Sequence, residues 1–144
     1  MPTPLESRLL WKGAAHYEDA RRAAVWHAAT PSRFPAVIVP ATSQEDVVAA
    51  VQLARDRGMQ LAVRSGGHSW AGSHLRDGIV LLDVSQLRDC SINRDALTAT
   101  AQPGLTGADL NQQLAAQGLF FPTGHCAGVC VGGYLLQGGF GWNG

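Results

Sequence analysis

Three observations predict an α/β or α+β fold for this chain. A short β-branched run sits between two prolines, a capped helix follows it directly, and further short apolar runs are then separated by glycine-rich turns. In order, the elements read strand, helix, strand, loop, strands, helix.

Residues 1–33 read as an N-terminal extension with a short helix around residues 18–27 and a loop at Thr30-Pro31-Ser32-Arg33. Organised structure is expected from Pro35. Residues 36–39 (Ala-Val-Ile-Val), bounded by Pro35 and Pro40, form the first strand. Thr42-Ser43-Gln44-Glu45 fits a capping box in which the Thr42 hydroxyl accepts from the backbone of Glu45. The helix then carries Val47, Val48, Val51, Leu53 and Ala54 at helical spacing, and Gly58 suits a left-handed C-terminal position. Strands are predicted at residues 61–63, 79–83 and 97–101, and a helix at residues 107–116 with Gly118 near its end. One helix between the first two strands suggests a parallel βαβ start.

Composition narrows the classes of function. The 144 residues are 46% hydrophobic and 15% charged, with 11 basic and 11 acidic side chains and a formal net charge of zero. Such a balance supplies no long-range field for nucleic acid or an anionic membrane. No apolar run reaches the length of a membrane span, and the N-terminus lacks the basic start and apolar stretch of a secretory leader. A soluble, cytoplasmic protein is the expectation, and the odd count of three cysteines argues against a disulfide framework. Between residues 101 and 144 the only formal charge is Asp109. So neutral and glycine-rich a stretch suits burial under a large ligand or further protein, and the chain reads as a fragment.

The most informative stretch is Arg64-Ser65-Gly66-Gly67-His68-Ser69-Trp70-Ala71-Gly72. Two glycines after a strand permit a sharp turn and close backbone approach to a ligand. Successive N–H groups there can form an anion nest, with the Ser65 and Ser69 hydroxyls as further donors and diphosphate as the natural guest. The pattern is neither a Walker loop nor a dinucleotide G-x-G-x-x-G. His68 is open to three readings: a structural hydrogen-bonded residue, a metal ligand, or an imidazole nucleophile at a cofactor pocket. A second glycine-dense segment spans residues 124–144 and suits either a planar ring system laid on the backbone or close packing of protein elements. A zinc reading of His125, Cys126 and Cys130 matches no common ligand spacing. Cys90 reads as a small buried apolar residue, and Tyr134 and Trp142 as core or as rings lining a ligand site.

Six motifs occur in one order. They are residues 35–40, the Arg64-Ser65-Gly66-Gly67-His68-Ser69 loop, residues 81–85, residues 101–104, residues 122–126 and Gly138-Gly139-Phe140-Gly141. In this arrangement residues 34–144 resemble the FAD-binding domain of the vanillyl-alcohol oxidase and p-cresol methylhydroxylase (PCMH) superfamily, and more narrowly the berberine-bridge-enzyme-like oxidases. The resemblance implies a PCMH-type FAD-binding domain, incomplete at its C-terminal end, with the substrate domain beyond residue 144. It implies FAD held covalently, the flavin 8α-methyl on His68 and flavin C6 on Cys126. Ala127 and Cys130 depart from the Pro and Gly usual at their positions. It further implies cofactor contacts from Arg64, Ser65, Gly66, Gly67, Ser69 and Gly72, with Arg64 supporting the loop as the alternative to touching FAD. From the second segment it implies Gly124, Gly128, Val129, Gly132, Gly133, Gly138, Gly139 and Gly141. The function implied is an oxidase taking hydride from a small-molecule C–H donor to flavin N5, with dioxygen as acceptor. The alternatives are a non-catalytic FAD-binding scaffold and a reductase with untethered FAD. No residue is marked as the general base, and the chain as it stands is expected to turn over little.

Overall fold

The computed structural model describes residues 5–141. A 3-10 turn at Leu5–Arg8 leads into strand β1 (Leu10–Trp11) and helix α1 (Tyr17–Ala23). Strand β2 (Val37–Pro40), helix α2 (Gln44–Asp56), strand β3 (Leu61–Arg64) and strand β4 (Val80–Asp83) follow. Strands β5 (Cys90–Asn93) and β6 (Thr98–Ala101) come next, then helices α3 (Gly107–Ala115) and α4 (Val131–Leu136).

The main sheet has the order β1-β2-β4-β3, with β2, β4 and β3 parallel and β1 antiparallel to β2. The expected βαβ start is therefore modified: β2 and β3 are parallel, but β4 lies between them and pairs with both. Hydrophobicity explains the placement. Val80, Leu81 and Leu82 of β4 are buried on both faces, as a central parallel strand requires, whereas β3 is only half-buried and suits an edge. β5 and β6 form a separate antiparallel pair.

Side-chain alternation divides the core into two layers around the sheet. Val37, Val39, Val80 and Leu82 face Ala50 and Ala54 of α2, while Ile38 and Leu81 face Tyr17, Ala24, Val25 and Leu75 on the other side. Residues 5–33 thus form part of this fold: β1 extends the sheet, and α1 with the turn after it covers one face. Helix α1 ends at Ala23, earlier than the sequence suggested, because the carbonyls beyond it serve the loop described below. A third cluster (Leu105, Leu110, Leu114 and Val131) sits beneath β5 and β6, with Cys90 half-buried against it.

The cap of α2 lies one residue later than expected. Ser43 is the N-cap, its hydroxyl accepting from the Asp46 N–H at 3.3 Å. The Asp46 carboxylate reaches back to the Thr42 N–H and hydroxyl at 2.8 and 2.9 Å and receives Arg8 at 2.7 Å. Burial raises the Asp46 pKa, but these donors outweigh it and leave the net shift downward. The carboxylate three residues after the cap, with Arg8 as its partner from the N-terminal turn, decided the boundary.

Gly58 adopts the left-handed conformation predicted for it, and Gly118, just past the end of α3, adopts it too. At Gly104 a Cβ would lie 2.6–2.7 Å from the carbonyl oxygens of Ser85, Val84 and Leu87, all backbone atoms that cannot swing away. Ser43→Ala is therefore expected to cost about 1 kcal/mol through the lost cap. Gly104→Ala should cost more, on the order of 3 kcal/mol, through overpacking. Urea unfolding of the two variants checks this order.

Candidate functional site

Parallel neighbouring strands need a crossover of a dozen or more residues. Between β3 and β4 that crossover is residues 65–79, the glycine loop itself. Side chains and backbone pin it from several directions. Arg64 Nη1 donates to both carboxylate oxygens of Asp83 at 3.0 and 2.8 Å, and Nη2 donates to the Ala23 carbonyl at 3.0 Å. The Trp26 N–H donates to the Gly67 carbonyl at 3.3 Å, and buried His74 donates through Nε2 to the Ala24 carbonyl at 2.8 Å. The Ser65 hydroxyl donates to the Pro103 carbonyl at 2.5 Å.

These contacts refine several sequence readings. Ser65 uses its hydroxyl on Pro103, so that group is not spare for a phosphate. Arg64 supports the loop through its two terminal nitrogens, while its Nε is buried and has no hydrogen-bond partner. The two glycines are required from below. A Cβ on Gly66 would lie 3.0 Å from Cys130 Sγ; Gly67 has φ +70°, and a Cβ there would collide with the Ala24 carbonyl. Gly72 (φ +53°) faces Pro31 and Val25, on the side of α1, and does not border the cavity described below.

His68 is half-buried at the loop's turn. Its imidazole lies parallel to the Trp26 indole, with centroids 5.5 Å apart and planes 7° apart, and its Nε2 edge abuts Gly128. Burial lowers its pKa and the nearby Arg64 charge adds to this, against the opposing effect of the Gly128 backbone. The ring is therefore neutral at neutral pH and keeps a lone pair.

The second glycine segment is attached to the first through residues 103–107. The N–H of Val131 donates to Leu105, that of Gly132 to Pro103, and that of Gly107 to Val129. A Cβ on Gly132 would lie 2.5 Å from Pro103 Cβ, so this glycine serves close protein packing. Cys130 is buried under the loop with Sγ donating to the Gly104 carbonyl at 3.3 Å. Burial pushes its thiol pKa up, which suits a packing residue and not a nucleophile. Cys126 is exposed and borders a small hollow with Gly124, Thr123, Val129 and Tyr134.

The two segments enclose an open cavity of about 880 Å³. Of the residues singled out in the sequence, Arg64, Ser65, Gly66, Gly67, His68, Ser69, Val129, Gly133 and Gly139 line it. Gly124 and Cys126 border the neighbouring hollow, and Gly128 abuts His68. Gly72, Gly132, Gly138 and Gly141 do not line the cavity. Trp142 lies outside the described residues. Sequence reading missed Trp26, His74, Arg76 and the exposed edge of β3 (Leu61, Ala62, Val63). A His or Trp at those positions carries no local signal, because each acts on residues 40 or more positions away. Among the described residues, no group of three or more His, Cys, Asp or Glu could hold a metal ion, and no helix is long and apolar enough to cross a membrane.

A family model for an FAD binding domain matches residues 35–144. The chain belongs to that family. The FAD-linked oxidoreductase nodO of Hypoxylon pulicicidum is 41% identical over 138 residues, covering 94% of this chain and 31% of that protein. The FAD-linked oxidoreductase ptmO of Penicillium ochrochloron is 39% identical over 140 residues, covering 97% and 31%. Among solved structures, wild-type BBE-like 1 of Physcomitrella patens aligns with a TM-score of 0.81 at 29% identity, covering 97% of this chain and 31% of that one. The chain therefore spans about 31% of the length of these two curated relatives. The fold is the PCMH-type fold that the motif order implied, and the kinship to FAD-linked, berberine-bridge-enzyme-like oxidoreductases is borne out.

The residues present fit a dinucleotide cofactor. Among the described residues, the N–H groups of residues 66–69 have no protein partner, and they lie in a loop that borders the cavity. Such a run of free amides is a ready cradle for a diphosphate. The unpartnered Arg64 Nε adds positive charge beneath it.

His68 and His74 both have pKa values below the ordinary 6.5, chiefly through burial. As pH falls, the unfolded chain takes up these protons first, so the stability they contribute is intact above 6.5 and declines below it. The urea midpoint should be lower at about pH 5.5 than at about pH 7.5. His74→Gln, which keeps a donor for Ala24 but does not titrate, should reduce that difference.

Proposed function

We propose that this chain is the cofactor-holding part of an FAD-dependent oxidase and binds FAD covalently, through His68 to the 8α-methyl and through Cys126 to C6. The observation that carries the reading is the juxtaposition of free loop amides and a neutral, oriented imidazole on one cavity wall. When bound, the flavin would supply the hydride acceptor for a small-molecule donor with a C–H or CH–OH centre, with dioxygen as the final acceptor. The chain's own contributions are binding, orientation and electrostatics. The amides of residues 66–69 neutralise the diphosphate, Arg64 fixes the loop against Asp83 and α1, and His68 keeps its lone pair because burial disfavours its protonation.

A second reading, a binding scaffold without turnover of its own, is favoured by one observation. No carboxylate lines the cavity among the described residues, and the Tyr134 hydroxyl is already donating to the Pro122 carbonyl at 3.1 Å. A general base would then have to come from other parts of the protein.

Absorbance of the purified, FAD-incubated protein before and after acid precipitation tests binding and attachment, and the absence of sustained peroxide production by the flavin-loaded chain would favour the scaffold. Flavin absorbance in the pellet is expected. His68→Ala and Cys126→Ala should each retain acid-stable flavin with an altered spectrum, and the double variant should retain none. Flavin found only in the supernatant would leave binding without attachment, and a colourless protein would remove the proposal altogether.

A further inference from the structure

We propose that Trp26 is a positioning residue for His68, fixing the plane of the imidazole for attachment to the flavin; this rests on the reading of His68 as the attachment point. Trp26 lies ahead of the matched residues 35–144, in a segment that motif comparison leaves aside. Both its backbone and its ring engage the loop. Its N–H donates to the carbonyl of Gly67, and its indole stacks on the next residue, His68.

The surroundings show that core burial is not the reason for this tryptophan. Trp26 remains 45% exposed, yet three rings surround it. His68 lies parallel to it, Trp70 meets it edge-on at 4.8 Å and 90°, and His27 meets it at 5.7 Å and 88°. His27 and Trp70 are joined in turn by the contact of His27 Nε2 with the Trp70 carbonyl at 3.2 Å. Such offset and edge-on pairs have directional preferences that aliphatic contacts lack. An imidazole on a loop can rotate about two side-chain bonds. Contact with Gly128 restrains one edge of the ring, and the indole restrains its plane. One face and one edge are left for the cavity that His68 lines.

Attachment makes orientation consequential. A C–N bond forms between an imidazole nitrogen and the 8α-carbon, and a methyl C–H bond breaks. The methyl proton and the imidazole N–H proton, with the electron pair, end on the isoalloxazine ring. Dioxygen then removes the pair with two protons as hydrogen peroxide. The lone pair must meet the carbon within a narrow range of angles, and loss of such alignment slows a reaction by roughly tenfold to a hundredfold.

The test uses the full chain and its Trp26→Ala and Trp26→Phe variants, each incubated with FAD. Total bound flavin and acid-stable flavin are followed over time, and the His68 ring signals are recorded by NMR on the cofactor-free protein. The expected result is that Trp26→Ala still binds FAD but accumulates acid-stable flavin at least roughly tenfold more slowly, while Trp26→Phe, which keeps a flat ring, stays near the parent. Attachment at the parent rate in Trp26→Ala would overturn the proposal, as would loss of FAD binding in step with attachment. If the parent itself holds no acid-stable flavin, the attachment reading falls separately. The NMR signals then decide the positional role: a His68 ring that loses its ring-current shift in Trp26→Ala and regains it in Trp26→Phe supports it, and an unchanged ring refutes it.

Discussion

The guanidinium of Arg64 is the point on which the rest of the molecule depends. It stands at the last position of β3, directly across from Asp83 at the last position of β4, and grips both carboxylate oxygens. Its remaining arm holds the Ala23 carbonyl at the end of α1. Asp83 also accepts from the Ser85 N–H at 2.9 Å, which starts the turn beyond β4. One cation thereby joins two strand ends, a helix end and a turn where the crossover loop begins. The pair is mostly shielded from solvent, with one guanidinium nitrogen shared between the two carboxylate oxygens, and charge-assisted hydrogen bonds of this kind are stronger than neutral ones. The Glu18 pairs with Arg21 and Arg22 differ: Glu18 is held down to about 2 by those hydrogen bonds, but it is open to water, where screening leaves such pairs little net effect.

Much of the fold could be read from local chemistry. The β-branched run between Pro35 and Pro40, the apolar run ending at Asp83 and the periodicity of α2 each record their environment in the side chains themselves. Gly58 and Gly118 record it in backbone freedom. Strand order could not be read this way, since it depends on which run is apolar on both faces, a comparison between strands. Strand β1 is two residues long and α4 six, below the length at which periodicity is visible. The cap of α2 moved by one residue because Asp46 found a partner in Arg8, 38 positions away.

The candidate site was legible in part for the same reason. The Gly-Gly-His sequence marked the loop, and the order of motifs implied a dinucleotide as its guest. What the sequence could not convey was the direction of each need. Gly66 and Gly67 are glycine because Cys130 and Ala24 press on them from the protein side, while both residues line the cavity. Ser65, read as a phosphate donor, is instead a tie to Pro103. Gly72 and Gly132, read as cofactor contacts, allow protein segments to touch. Close packing and ligand approach both call for a missing side chain, and only the three-dimensional neighbours tell them apart.

The crossover of residues 65–79 carries a thermodynamic consequence. A free loop of this length would lose much conformational entropy on gripping a ligand, and that loss would weaken binding. Here the ordering is coupled to pairing of β3 with β4 and to docking of α1, so it is completed when the chain folds. A ligand arriving at this loop would meet a backbone already ordered, and its affinity would be drawn down mainly by its own loss of freedom.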